Sequence, residues 1–511
     1  MATRELRDLL GRRKGNIAKR GRVRASDRLA CTRGFLGLFG LVLGMVACSR
    51  PTPTILAITH VTVIDGSGGA PCADCTVVIS GSRISRVGAD AYVAIPKETK
   101  IVDGGGKFLI PGLADMHVHL TGAGEPGGSR EFILPLLVAN GITTVRDMGG
   151  QVELLKQLRE EIGSGKRIGP QIFFTGPYLD GSPPSFQPSI VVQNGREAAA
   201  AVDTLQREGV DFIKVQSRLQ PEAYFAIASE SNRLGIRFVG HVPDSITAAQ
   251  ASDAGQSSIE HLTGVLLGTS EKEGELRQEK LKKIDGESAE ETRRRNRRWL
   301  HGLLDSNSQC KTDALASKFA RNGTWQVPTF PTLVHLGFVT PQEDLGADWR
   351  LRYVPQNLQA IWRQGRNGQL ERYGSDDFAL RDEVVKRSVS VVGKMNLAGV
   401  SIVAGTDTAA PNVFPGFSLH EDLEYMVKAG MTPLQALQAA TTKPAEFLGR
   451  SAEQGTIDAG KRADLVLLDA DPLADIRNTQ KIRAVIVNGK LLDRGELDRV
   501  LAGVERYAAM H

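Results

Sequence analysis

Two histidines stand two residues apart in Pro111-Gly-Leu-Ala-Asp-Met-His117-Val-His119. Side chains alternate faces along an extended strand, so His117 and His119 point the same way and can grip one metal ion. Imidazole suits zinc and similar first-row ions. Alone the pair is weak evidence, because His-x-His also arises by chance on loops. The chain has only nine histidines, however, and two more, His241 and His261, close apolar runs that read as strands. Asp407 closes another, in Ala404-Gly-Thr-Asp407. Four imidazoles and a carboxylate at strand ends are the ingredients of a metal centre that activates water.

Lys214 is the odd member of this set, lying inside the apolar strand-like run Val210-Asp-Phe-Ile-Lys-Val215. A buried ammonium is costly without a partner. A salt bridge to Asp407 or another carboxylate would meet that cost. The alternative is a neutral amine carboxylated by CO2, whose anionic carbamate has two oxygens able to bridge metals about 3.5–4 Å apart. Tyr178, in the loop after the third strand, and Arg146, near the end of the second, are candidate substrate contacts, with structural roles as the alternative. Asp115 either orients a ligand histidine through its second ring nitrogen or acts as a structural acid. Glu260, beside His261, reads as a surface or supporting group.

These residues need a scaffold that brings strand ends together. Eight apolar runs recur, at 113–119, 143–147, 171–175, 212–216, 237–241, 258–261, 326–332 and 401–407. Most are followed by helix-like segments. Eight strand-then-helix units predict an α/β fold with a (β/α)8 TIM-type barrel, and periodicity alone leaves an open doubly wound sheet as the alternative. Barrel enzymes place their chemistry at the C-terminal ends of the strands, where the candidate residues fall. Short β-rich runs broken by glycine lie at 55–95 and again at 464–490, which predicts a small composite β-sandwich domain built from both ends of the mature chain. The expected division is a leader at 1–48, small-domain parts at 49–106 and 451–511, and the barrel at 107–450. Charged helical insertions are expected at about 265–320 and 340–390. The Arg293–Arg298 run within them reads as a solvated helix face, with a lid or partner surface as the alternative.

Charge is uneven. Residues 1–33 hold eleven Lys/Arg and three acids, a net of +8, whereas the whole chain nets +5, so the remainder is acidic by three. The folded body therefore gives no support for nucleic-acid binding. An uncharged apolar run at 34–47 then precedes Cys48. It is short for a spanning helix, which needs roughly 20 residues, and it reads as a secretory signal. Met45-Val46-Ala47-Cys48 resembles a bacterial lipobox, in which the cysteine is lipidated. The expectation is an exported, periplasmic protein touching the membrane by a lipid anchor only, with a plain signal peptide or uncleaved anchor as the alternative. Cys72 and Cys75 suit a local disulfide in an oxidising compartment.

The order His-x-His, Lys, His, His and Asp along successive strands resembles the binuclear branch of the amidohydrolase superfamily. The lead Lys107-Phe-Leu-Ile-Pro-Gly112 and the return Gly455-Thr-Ile-Asp-Ala-Gly-Lys-Arg-Ala-Asp464 resemble that family too. The resemblance implies that His117, His119 and Asp407 hold one divalent metal and His241 and His261 a second, most simply two Zn2+. Carboxylated Lys214 would bridge them. Water activated by the metals would attack the substrate carbonyl, and Asp407 would carry its proton to the leaving nitrogen. Gly141-Ile-Thr-Thr-Val-Arg-Asp-Met-Gly149 and Gly416-Phe-Ser-Leu-His420 resemble the imidazolonepropionase-like and Xaa-Pro dipeptidase-like (prolidase) branch. The sequence His241-Val242-Pro243 departs from many dipeptidase-like members, which puts Xaa-Pro specificity in doubt. The implied function is hydrolysis of a small amide, as a dipeptidase or N-acyl amino acid hydrolase. Lactone or phosphotriester hydrolysis on the same metals is an alternative, and a non-catalytic binding protein is disfavoured because all six ligands are present. A homo-oligomer is compatible with this reading.

Overall fold

The computed structural model describes residues 55–120, 128–282, 286–337 and 345–511. The leader, with the expected signal and Cys48, lies outside the described residues. Among those described, no helix is long and apolar enough to cross a membrane.

The described chain opens with five strands: β1 (Ile55–Val63), β2 (Cys72–Ser80), β3 (Arg83–Ala89), β4 (Lys100–Asp103) and β5 (Phe108–Pro111). Cys72 and Cys75, both in β2, are joined by a disulfide.

Nine short strands follow: β6 (Leu113–Val118), β7 (Ile142–Asp147), β8 (Gln171–Phe174), β9 (Tyr178–Asp180), β10 (Ser189–Val191), β11 (Ile213–Val215), β12 (Phe238–Gly240), β13 (Ser258–Glu260) and β14 (Trp325–Val327). They form parallel ladders, β6-β7-β8 in one sheet and β10-β9-β11-β12-β13-β14 in the other. Every residue of β6 and β7 is buried, as expected of parallel strands covered on both faces. One face carries Val145, Ile172, Ile213 and Ile259 into the main core against the helices. The other carries Met116, Phe173, Phe212, Val239, Val327 and Val403 into a smaller inner cluster.

Seven of the eight expected strands are present, all but β7 in shortened form. The eighth, at 401–407, is not a regular strand. It bonds first to β14, through Gln326 N to Ser401 O (3.0 Å) and Val403 N to Gln326 O (3.1 Å). It then bonds to β6, through Met116 N to Ala404 O (2.9 Å) and Asp407 N to His117 O (2.7 Å). Because its partner changes partway, neither ladder runs long, and Asp407 turns to φ +67°. On the other flank, Asp211 N donates to Phe174 O (2.9 Å), linking β8 to the approach to β11.

The far end supplies β15 (Leu465–Leu468), β16 (Ile482–Val487) and β17 (Lys490–Asp493). They extend the first sheet, in the order β17-β16-β15-β5-β1-β2-β3 with β4 also on β1. All eight belong to one continuous hydrogen-bonded sheet. The free edge of β1 is shared, with β4 beside Leu56–Thr59 and β5 beside Thr62 and Val63. Period-two alternation sorts its side chains: Leu465 and Leu467 join this sheet's own core, while Val466 and Leu468 join the main core.

The insertions contain helices Glu273–Leu281, Ala289–Asp305, Gln356–Arg372 and Ser375–Leu397. Ser288 and Glu291 form a capping box at the start of the second. Its arginines are largely paired locally: Arg293 and Arg294 with Glu290, and Arg295 with Glu287. Arg297 reaches Asp377 at 2.9 Å and ties this helix to Ser375–Leu397.

Candidate metal centre

The six sequence-predicted ligands occupy strand ends. His117 sits in β6 and His119 just past it, Lys214 in β11, His241 just past β12, His261 just past β13 and Asp407 in the irregular eighth segment. The structure brings the histidines and Asp407 together. The His117 ring centroid is 4.5 Å from His261 and 5.3 Å from His119, and His241 is 5.0 Å from His261. Asp407 Oδ1 lies 2.9 Å from His119 Nε2 and 3.3 Å from His117 Nε2. Metal-capable atoms of His117, His261 and Asp407 all lie within 4.8 Å of one another.

Hydrogen bonds fix which ring nitrogen faces the cluster. His117 Nδ1 lies 2.8 Å from Glu260 Oε2. An ionised carboxylate only accepts, so Nδ1 carries the proton and Nε2 keeps its lone pair. His261 Nδ1 is 2.6 Å from Thr329 Oγ1, whose own proton goes to Pro328 O, so His261 donates there. His119 Nδ1 is 3.3 Å from the carbonyl of Gly149, another pure acceptor. His241 Nδ1 is 2.8 Å from Ser217 Oγ. The Nε2 atoms thus remain for the cluster, the arrangement that orients metal-bound histidines. His117 Nε2 is buried without a hydrogen-bond partner, which a metal ion would relieve.

Electrostatics divide the four histidines: burial lowers the pKa of His119, but Asp407 outweighs it and raises that pKa, whereas the other three are lowered. Burial, reinforced by Lys214, pushes the His117 and His241 pKa values well below the ordinary range. Burial lowers that of His261 despite the opposing pull of Asp407. Neutral imidazoles are what a metal requires. At Asp407 burial pushes upward, but His261 and His119 outweigh it and hold the carboxyl ionised at lower pH.

Lys214 is sealed at 1% exposure. Burial pushes its pKa down to about 8 against the pull of Glu260 and Asp407. Among the described residues its amine makes no ion pair or hydrogen bond, so the salt bridge entertained from sequence is not formed.

Two sequence readings need correction. Arg146 does not face a substrate. It is 0% exposed, and its guanidinium donates to Met116 O (2.7 Å), Ser258 Oγ (3.2 Å) and Glu260 Oε1 (2.9 Å). Asp115 does not orient a ligand ring. Its carboxylate accepts from His117 N, Thr406 N and Thr406 Oγ1, fastening β6 to the eighth segment. Burial pushes its pKa up to about 7 against these hydrogen bonds. Tyr178 stays close, with its hydroxyl 3.3 Å from His119 Nδ1. Any side chain at Gly149 would collide with the Tyr178 ring.

Sequence reasoning undervalued Glu260. It is fully buried and joins His117 to Arg146. Alternation along a regular strand would turn Glu260 away from the site if His261 faced it. The chain leaves β13 at His261 with φ +55° and continues through Leu262 at +53°. That left-handed turn lets two consecutive residues address one cluster. Such strained conformations in residues other than glycine concentrate at functional sites, and Asp407 shares the feature. Gly405 is needed for a different reason, because a Cβ there would press on His117.

The amidohydrolase family pattern matches residues 108–283 and 356–492, more than half of the chain. Ochratoxinase from Aspergillus niger is 24% identical over 485 residues, covering 87% of this chain and 91% of that protein. A structure from Bifidobacterium longum assigned as a prolidase superposes with TM-score 0.62 at 24% identity, over 89% of this chain and all of that one. Bottromycin amidohydrolase superposes with TM-score 0.70 at 21% identity, over 90% of this chain and 91% of that one. The chain belongs to the amidohydrolase family. It is a hydrolytic enzyme acting on carbon–nitrogen bonds.

Proposed function

We propose that the protein hydrolyses a peptide-like or N-acyl amide bond with two divalent metals, most simply zinc. In this reading β6, β7, β8, β11, β12, β13, β14 and the eighth segment run round as one closed eight-stranded barrel, with β9 and β10 as additions to it. The inter-sheet bonds at Asp211 and at 401–407 support that closure. The barrel spans about residues 107–450, and the small domain is assembled from 49–106 and 451–511.

The observation that carries the reading is the convergence of His117, His119 and His261 on Asp407, with His241 beside His261 and the buried Nε2 of His117 without a hydrogen-bond partner. His117, His119 and Asp407 would hold one metal and His241 and His261 the other. Lys214, as its carbamate, would join them, and its neutral form is accessible because burial lowers its pKa. Bound metals supply Lewis acidity toward the amide carbonyl and toward water. This chain's own residues do the rest. Asp407, its carboxyl held ionised, accepts a proton from the attacking water and delivers it to the leaving nitrogen. Glu260, Ser217 and Thr329 lock the imidazoles in position. Tyr178 is placed to hydrogen-bond substrate beside His119. Relatives named for prolidase, Xaa-Pro dipeptidase and amidohydrolase activities favour an amide over an ester or phosphotriester.

Elemental analysis of the purified protein and turnover of dipeptide and N-acyl amino acid libraries test the reading. Two zinc-like ions per chain and hydrolysis of at least one amide are expected. Absence of both after zinc and bicarbonate are supplied would refute it. Export and lipid attachment at Cys48 are proposed from sequence alone, and labelled palmitate entering wild type but not Cys48→Ser is the expected result.

A further inference from the structure

Two adjoining spaces of contrasting chemistry lie against the insertion helices. The inner cavity, about 250 Å3, touches the candidate centre at His261 and Ser217. Much of its remaining wall is hydrocarbon, including Val242, Leu262, Leu266, Leu303 and Leu333. The outer chamber, about 690 Å3, shares Lys280, Trp299, Leu300 and Val384 with it, so the two adjoin. The charged residues lining this outer chamber are Lys280, Arg295, Arg372 and Arg381, and no acid lines it. Glu287 neutralises Arg295, and Asp244 neutralises Lys280 at 2.7 Å. Arg372 has no ion-pair partner among the described residues. The Arg381 guanidinium carbon lies 3.6 Å from the centre of the Tyr373 ring, and this side chain is not free of other partners, so Arg372 is the available cation.

We infer that the substrate carries an extended apolar arm ending in a carboxylate, the arm filling the inner cavity and the carboxylate meeting Arg372. This rests on the amide-hydrolase reading and deepens it. An apolar pocket rewards hydrocarbon, and a cation-lined space with no acid on its wall rewards an anion. Reach decides where that anion sits. The α-carboxylate of a residue released at the scissile nitrogen lies two bonds from that nitrogen, so it stays beside the metals. Only a distal carboxylate can occupy the outer chamber. A peptide longer than two residues with an apolar interior, or an acyl chain with a terminal carboxylate, supplies that chemistry. A simple dipeptide does not.

The test compares pairs that share a scissile bond. Suberanilic acid is set against its methyl ester, and Ala-Phe-Leu against its C-terminal amide, on the zinc-loaded enzyme. One charged contact predicts about tenfold higher kcat/KM for the acid of the favoured pair, carried mainly by KM. The variant R372Q should bring that ratio to about one and leave the neutral substrate unchanged. The pair that responds identifies the source of the carboxylate. A ratio near one in wild type, or a raised ratio that survives the variant, overturns the inference while leaving amide hydrolysis intact. If no amide is turned over, the amide-hydrolase reading fails, and binding to the metal-stripped full chain decides the chamber separately. Calorimetry with 6-phenylhexanoate and 6-phenylhexanamide should then show about tenfold tighter binding of the acid in wild type only. Equal affinities would overturn the chamber assignment.

Discussion

His117 and His119 stand two residues apart on one stretch of chain yet occupy different surroundings. His117 rests on a sealed floor with Glu260, Arg146 and Lys214, all at 0–1% exposure. His119 belongs to a rim with His241, His261 and Asp407, where solvent reaches each side chain in part. On the floor Glu260 ties His117 and Arg146 into a buried hydrogen-bonded ion network, with Lys214 beside it, and the rim is a set of groups meeting at an opening. Removing one member of a buried ion pair leaves a charge stranded in low dielectric, whereas removing a group at an opening mainly removes its chemistry. The floor should therefore register damage in stability and the rim in turnover.

Glu260→Gln should have the largest effect. It leaves the Arg146 cation buried without its carboxylate and weakens the hold on His117. The expected loss is about 3–5 kcal/mol of folding free energy, with metal affinity falling about 10–100-fold. Chemical denaturation and metal titration measure the two. A variant as stable as wild type would dissolve the distinction between floor and rim.

Asp407→Asn is the matching test at the rim. General acid–base contributions run from about 10²- to 10⁴-fold, so kcat should fall in that range while the unfolding midpoint stays near wild type. A drop in stability as large as that of Glu260→Gln would place Asp407 with the floor.

Lys214→Ala sharpens the comparison because Lys214 lies on the floor without an ion-pair partner. Its loss strands no opposite charge. Activity should fall about 10²-fold or more through loss of metal, and stability should suffer far less than in Glu260→Gln. Propionate should restore part of the activity by standing in for the carbamate. Full activity in the untreated variant would exclude the bridging role.

The same division explains how much was legible in the sequence. The rim residues are rare types at the ends of apolar runs, so His119, His241, His261 and Asp407 could be read from type and spacing, and His117 with them through its pairing with His119. The floor depends on where side chains turn after the strands end. Glu260 read as a surface or supporting group because the left-handed turn at His261, which lets both residues address one cluster, lies outside any periodic pattern. Arg146 looked available near a strand end because sequence does not show that Met116 O, Ser258 and Glu260 would claim its donors. The eighth strand was recognisable from its apolar run, but its change of partner from β14 to β6 is a tertiary event. The small sheet was readable from both ends, whereas the sharing of β1 between β4 and β5 was not.

Tyr178→Phe asks how far the rim extends from Asp407. The Tyr178 hydroxyl lies 3.3 Å from His119 Nδ1, a long contact shared with Gly149 O. Removing it should change stability by about 1 kcal/mol or less. If the hydroxyl instead meets substrate, KM for a good amide should rise several-fold while metal content holds. Loss of metal from this variant would move Tyr178 from the substrate side to the support of His119.

The smallest expected effect concerns a brace outside the cluster. Glu421, in helix Phe417–Lys428, pairs with Arg350 and faces His335 Nε2 at 3.8 Å. Burial pushes its carboxyl upward, but the His335 and Arg350 contacts prevail and bring the pKa down to about 2. An unfolded glutamate titrates near 4.3. The folded state therefore binds this proton less readily than the unfolded state. The brace contributes fully above about pH 4.3 and is lost as pH falls through about 2. Urea midpoints taken between pH 5 and pH 2.5 should fall less steeply in Glu421→Gln than in wild type. At pH 7 the same variant should keep its metal and the kcat of wild type, because the brace touches neither floor nor rim. Identical acid slopes in the two proteins would show that Glu421 carries none of the acid sensitivity.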